Sequence, residues 1–173
     1  MLFLNLNPHC LLHYFYKGSP ELDIFCSNEQ SSVTISQTDI QQFVKTVLEN
    51  EGQSADELSI AFVDKSEISA LHEKFFSDPS PTDCISIPMD EGEDTEIPDH
   101  RVLGDIFVCP QVAIEYVKEN GGEIYEEISL YLLHGLLHLL GYDDISEEDR
   151  LQMRQAEKRN LNELKKLNLL LKP

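Results

Sequence analysis

Two histidines four residues apart, followed by a glycine and an acid, stand out in the stretch His134-Gly-Leu-Leu-His-Leu-Leu-Gly-Tyr-Asp-Asp144. A helix advances about 100° per residue, so His134 and His138 project from one face with an offset of roughly 40° and can share one ion. Gly141 can take the left-handed conformation that ends a helix and swings the chain back. Asp144, three residues later, then approaches both imidazoles. The spacing H-x-x-x-H-x-x-G-x-x-D matches the metzincin zinc signature with Asp in place of the third His. Two imidazoles and one carboxylate leave a position for water, the composition of a catalytic zinc site rather than a structural one. Zinc brings that water's pKa to about 7. Burying two unpaired imidazoles on an apolar helix is costly, and one metal resolves both. The residues therefore predict one divalent transition metal per chain, zinc first, held by His134, His138 and Asp144. Iron, nickel and manganese suit the same ligands. Asp144 rather than Asp143 is the expected third ligand. Gly135 occupies the place where a zinc peptidase of this pattern keeps its glutamate base, which counts against peptide hydrolysis. A small residue there suits close approach of another backbone, such as a strand behind the helix.

The ligands need a rigid support. Glu123–Leu140 is apolar on nearly all sides and predicts the central buried helix. Pro110 and Gly121-Gly122 bracket a helix over Gln111–Asn120. Thr38–Asn50, capped by Thr38 or Asp39, and a segment capped by Ser66 and running to about Phe76, also show helical spacing. Leu58–Val63, Cys84–Pro88 and Ile106–Cys109 read as short strands. Ser146, followed by Glu147, Glu148 and Asp149, starts a last helix that turns basic towards Lys172. Mixed helices and strands in this order predict an α+β or α/β domain. Residues 1–35 give no readable element, and Asp90–Asp99, with its six carboxylates, reads as a solvated connection.

A chain of 173 residues predicts one domain, spanning 1–173, and its 26% charged content is ordinary for a globular protein. No apolar run is long enough to span a membrane. Met1–Phe15 has no basic residue ahead of its apolar patches, which argues against a signal peptide and for a cytoplasmic protein. Four scattered cysteines without a C-x-x-C pair predict buried, reduced thiols. The net charge of −19 predicts repulsion from bulk nucleic acid and anionic membranes. It is unevenly spread: residues 1–149 hold 6 Lys/Arg against 30 Asp/Glu, whereas 150–173 hold 7 against 2. The basic tail is thus either a docking place for phosphates or a solvated helix face.

At the histidine segment the sequence resembles the YbeY family of bacterial metal-dependent endoribonucleases, which act in ribosomal RNA maturation and ribosome quality control. The family hallmark, His-Gly-x-Leu-His-Leu-x-Gly-Tyr-Asp-His, is followed from His134 to Asp143, and Asp144 replaces the usual third His. Pro81-Thr-Asp-Cys-Ile-Ser-Ile-Pro88 and Leu103-Gly-Asp-Ile106 resemble two further family segments in the same order. The resemblance covers roughly Thr38 to Glu157. It implies a single α+β domain with a small mixed sheet, in which the long helix carries two ligands and the following turn the third. It implies a single-strand-specific endoribonuclease working on ribosomal RNA, with ribosome-associated proteins as partners and neither DNA nor membrane. Asp83 and Asp105, with Thr82, would help to position groups around the ion. Two departures bear on activity. Phe76 stands where the family commonly carries an arginine, and Asp144 adds an anion that makes bound water less acidic. The alternative is a catalytically weak, metal-containing assembly factor that acts through protein partners.

Overall fold

The computed structural model describes residues 22–89 and 100–173. The expectations for Met1–Phe15 and for Asp90–Asp99 lie outside the described residues. The elements follow in the order β1 (Asp23–Asn28), α1 (Ile40–Asn50), β2 (Glu57–Phe62), α2 (Lys65–Phe76), β3 (Cys84–Pro88), β4 (Val102–Val108), α3 (Pro110–Asn120), α4 (Ile124–Leu139) and α5 (Glu147–Lys166). The four strands form one mixed sheet in the order β1-β2-β4-β3. β1 and β4 run parallel to β2, and β3 runs antiparallel to β4. This is an α+β domain.

The main core lies between the sheet and α1, α4 and α5. Phe43, Val44 and Val47 of α1, Ile60 and Phe62 of β2, and Ile106 and Val108 of β4 are buried there. They surround Ile128, Leu132, Leu133, Leu136 and Leu137 of α4, all fully buried. Each such side chain contributes about 1.5–3 kcal/mol by leaving water, so α4 is fixed in place by its leucines. A smaller cluster of Val63, Ile68, Ile85 and Cys109 seats α2 against β3.

Several boundaries differ from the sequence reading. β1 was not expected: it is an edge strand whose Phe25 is 61% exposed, so its alternation does not read as apolar-in, polar-out. β4 begins at Val102, not Ile106. Gly104 conceals the earlier start, because it adopts φ +132 and pairs with Pro88, and a Cβ there would lie 2.1 Å from the Ile87 carbonyl oxygen. α2 is capped by Asp64 rather than Ser66. The Asp64 carboxylate accepts the Glu67 N–H at 2.9 Å and the Ser66 hydroxyl at 2.6 Å. Ser146 caps α5 with a reciprocal bond to Asp149, as expected. That helix stops at Lys166; the chain beyond it returns to the core, where the Leu171 N–H donates to Ser129 Oγ at 2.8 Å. Of the thiols, Cys109 is buried and Cys26 and Cys84 are half-buried and free, while Cys10 lies outside the described residues.

The basic tail proves to be largely engaged. Arg159 pairs with Glu51, Lys165 with Glu126, Lys166 with Glu163 and Lys172 with Asp39. Arg150 donates to the carbonyls of Asp144 and Ile145. Apart from Arg159–Glu51, whose carboxylate is buried, pairs of this kind contribute only about 0.2–1 kcal/mol each. Their larger effect is to occupy cations that would otherwise face a polyanion.

Candidate metal centre

α4 ends at Leu139 with Leu140 as its C-cap, and Gly141 follows at φ +96. The Gly141 N–H donates to the His138 carbonyl at 3.0 Å and the Tyr142 N–H to the Leu137 carbonyl at 3.1 Å, a Schellman turn. This turn places the Tyr142 carbonyl against His138 Nδ1 at 3.0 Å and directs Asp144 back over the helix. His134 is held from another side, with Nδ1 2.7 Å from Glu157 Oε1 of α5.

The two tethers decide the tautomers. A carbonyl and a carboxylate only accept, so the proton of each neutral ring sits on Nδ1 and each Nε2 presents a lone pair. Those two Nε2 atoms lie 3.0 Å apart, and Asp144 Oδ2 lies 3.8 Å from His134 Nε2. The three ligand atoms fall within 4.8 Å of one another. Ligands at tetrahedral zinc, bound at 2.0–2.1 Å, lie roughly 3.3 Å apart. Two lone pairs facing each other with a carboxylate alongside repel unless a cation or proton stands between them, so the donor set fits a divalent ion. Burial depresses the basicity of His134, but the hydrogen bond and charge of Glu157, with the charges of Asp83 and Asp144, outweigh it and hold its pKa above the ordinary histidine value. The same negative surroundings attract a metal.

Gly135 sits where α4 crosses β4. A Cβ there would lie 2.8 Å from Ile106 Cγ2 and 3.9 Å from Cys84 Sγ. The close neighbour is the side chain of the strand behind rather than its backbone, and no glutamate base could be housed at this position.

His134, His138 and Asp144 line an open cleft of about 540 Å³, completed by His72 and Phe76 from the end of α2 and by the stretch from Thr82 along β3. Asp83 belongs to it: its Oδ1 accepts the Thr82 hydroxyl at 3.0 Å and the Cys84 N–H at 2.8 Å. Its backbone carbonyl accepts from the Cys109 N–H at 2.9 Å, which locks the strand entrance. Burial, then the nearby Asp83 charge, push the Cys84 thiol well above its ordinary pKa.

Asp105 is not in the cleft, contrary to expectation. Successive strand residues face opposite sides of a sheet, and Ile106 is the one that meets α4. Asp105 therefore points away, into a separate hollow beside Phe25, Ser59 and Phe107. Asp143 is also elsewhere. Its carboxylate accepts the Asp144 N–H at 2.7 Å and borders a hollow with Glu51 and Tyr142.

Two acids at the site were not singled out from the sequence. Glu157 is one; the other is Glu51, whose side chain is only 7% exposed. Glu51 accepts from the Tyr142 hydroxyl at 2.7 Å, from Arg159 at 2.7 Å and from Asn160. Burial alone would raise its pKa, yet these three donors pull it below the usual glutamate value. The network pins the Gly141 turn to the end of α1 and to α5.

The profile of the family described as Endoribonuclease YbeY matches residues 25–165, wider at both ends than the motif-based resemblance. Endoribonuclease YbeY of Protochlamydia amoebophila is 49% identical over 149 residues, which is 86% of this chain and 97% of that protein. The Chlamydia pneumoniae protein of the same name is 40% identical over 154 residues, 87% of this chain and 96% of its own length. The solution structure of TM1509 from Thermotoga maritima shares the fold, with a TM-score of 0.56 at 23% identity over 82% of this chain and 89% of that one. With the histidine segment, the Gly141 turn and the sheet order in place, these similarities over most of its length show that the chain belongs to the YbeY family of endoribonucleases.

Proposed function

We propose that this chain is a metal-dependent endoribonuclease that cleaves single-stranded RNA, and that its substrate is ribosomal RNA during processing and quality control. The reading takes His134, His138 and Asp144 as ligands of one divalent ion, zinc first, within one domain spanning 1–173. The observation that carries it is the pair of Nε2 atoms 3.0 Å apart, each with its Nδ1 tethered to an acceptor, at the wall of an open cleft.

When bound, the ion would supply Lewis acidity at a phosphodiester oxygen and draw the pKa of water towards neutrality. The protein's own contribution is to keep both Nδ1 protons in place through Glu157 and the Tyr142 carbonyl, so that the Nε2 atoms stay available. Asp83 fixes the strand entrance beside the ligands. A cleft of about 540 Å³ lies in the range of about 300–1,000 Å³ typical of small-ligand pockets, which suits one or two nucleotides of an unpaired strand.

No helix among the described residues is long and apolar enough to cross a membrane, which accords with a cytoplasmic enzyme that meets its RNA on ribosomal particles and their proteins rather than on DNA. The assembly-factor alternative is not favoured, because the relatives carry the name of an endoribonuclease. The test is metal content together with cleavage of a single-stranded ribosomal RNA fragment by the wild type and by His138→Ala. Stoichiometric metal with cleavage that disappears in the variant supports the reading. Metal without cleavage returns the assembly-factor reading, and absence of metal removes the centre.

A further inference from the structure

The cleft has no cationic lining. Lys and Arg are absent from its described walls, and Asp83 and Asp144 make it anionic, in a chain of net charge −19. Phosphate neutralisation supplies most of the affinity in ordinary RNA binding, so this cleft needs another source. An aromatic pair lies at its edge.

His72 and Phe76 lie one helical turn apart on α2, with ring centroids 5.5 Å apart and planes tilted by 52°. Phe76 is 57% exposed. The backbone beneath it is held by the end of α2: Ser77 is left-handed at φ 59 and its N–H donates to the Glu73 carbonyl at 3.0 Å. His72 is anchored as well, with Nδ1 2.8 Å from the Ser80 carbonyl oxygen. Since a carbonyl only accepts, Nδ1 donates, and the ring is held as the second member of a rigid pair. Lys74 lies over the neighbouring Phe75 ring, 4.9 Å from its centroid.

We propose that Phe76, supported by His72, is a nucleobase-stacking subsite of the cleft, so that this enzyme grips an unpaired base beside walls that offer the phosphates no Lys or Arg. The proposal rests on the endoribonuclease reading and deepens it. Stacking is indifferent to the sign of the surrounding charge, and each stacked base is worth roughly 5- to 150-fold in affinity by alanine substitution. A paired base keeps its faces within the helix and has none to offer. The subsite would therefore select single strands without reading sequence.

The chain contains no tryptophan, so Phe76→Trp installs a single indole at the subsite. The metal-loaded variant is titrated with a six-nucleotide phosphorothioate RNA that resists cleavage, with the same backbone carrying abasic sites, and with the duplex. Saturable quenching by the single strand, absent with the abasic strand and the duplex, is expected. Phe76→Ala should weaken binding of the single strand about 5- to 150-fold, leave metal content unchanged and raise KM more than it lowers kcat, while Phe76→Tyr retains affinity. Equal binding by wild type and Phe76→Ala, or equal quenching by the abasic strand, overturns the subsite; if the wild type still cleaves, the nuclease reading survives. A wild type that neither binds nor cleaves RNA overturns both.

Discussion

Glu157 and His134 sit 23 positions apart on different helices, yet the carboxylate of one meets Nδ1 of the other at 2.7 Å. The contact fixes the ring's rotation and its tautomer, and it places a compensating charge behind the proposed ligand nitrogen. Acceptors of this kind typically carry 10- to 100-fold of metal affinity.

Glu157→Ala should therefore weaken zinc binding about 10- to 100-fold, read by competition with a chromophoric chelator. Glu157→Gln retains an oxygen acceptor and should lose much less. Equal losses in both variants would show that charge rather than orientation is what Glu157 provides.

Asp144→His replaces the proposed anionic ligand by a neutral one. The bound water becomes more acidic, so the lower limb of the pH–rate profile should move to lower pH and cleavage near neutrality should rise. Asp144→Ala should lose metal. An unchanged profile in Asp144→His would mean that Asp144 is not a ligand.

Gly135→Ala sets a methyl against Ile106 Cγ2 at 2.8 Å in a buried contact. Overpacking costs about 1–3 kcal/mol, and the better helix propensity of alanine offsets at most about 1. A net fall of roughly 1–2 kcal/mol in urea unfolding is the expected result. A stabilised variant would show that the α4–β4 crossing relaxes without loss.

Glu51 gives a pH prediction. Its folded pKa lies below the unfolded value, so the stability it contributes is fully present above the usual glutamate range and is lost as pH falls through the folded pKa. Glu51→Gln should be less stable by about 1–3 kcal/mol at pH 7, and the gap should close on acidification below about pH 4.3. Parallel stability curves for the two proteins would show that Glu51 is not held as the anion.

The clustering of His134, His138 and Asp144 could be read from the sequence because its geometry is local. Helical spacing aligns His134 with His138, and Gly141 has one conformational purpose, so three positions and a turn follow without knowledge of the rest of the chain. Glu157 is invisible by the same logic, since its partner is reached only after α5 folds back on α4 and the surrounding sequence is rich in acids. Asp105 shows the opposite difficulty. The Leu-Gly-Asp-Ile segment is recognisable, but its inward face depends on Ile106 meeting α4, and Gly104 interrupts the alternation that would have revealed it. β1 escaped because an edge strand with Phe25 on the outside follows no simple pattern. The caps divide similarly: Ser146 announced itself through Asp149, whereas Asp64 competed with an equally plausible Ser66.

The Glu157 tether also has a bearing on biosynthesis. All three proposed ligands have been synthesised once Asp144 is added, but the acid that steadies His134 arrives thirteen residues later, and α5 cannot dock until it has left the exit tunnel. Completion of the proposed centre therefore awaits the docking of α5 on α4, which alone brings Glu157 to His134 Nδ1.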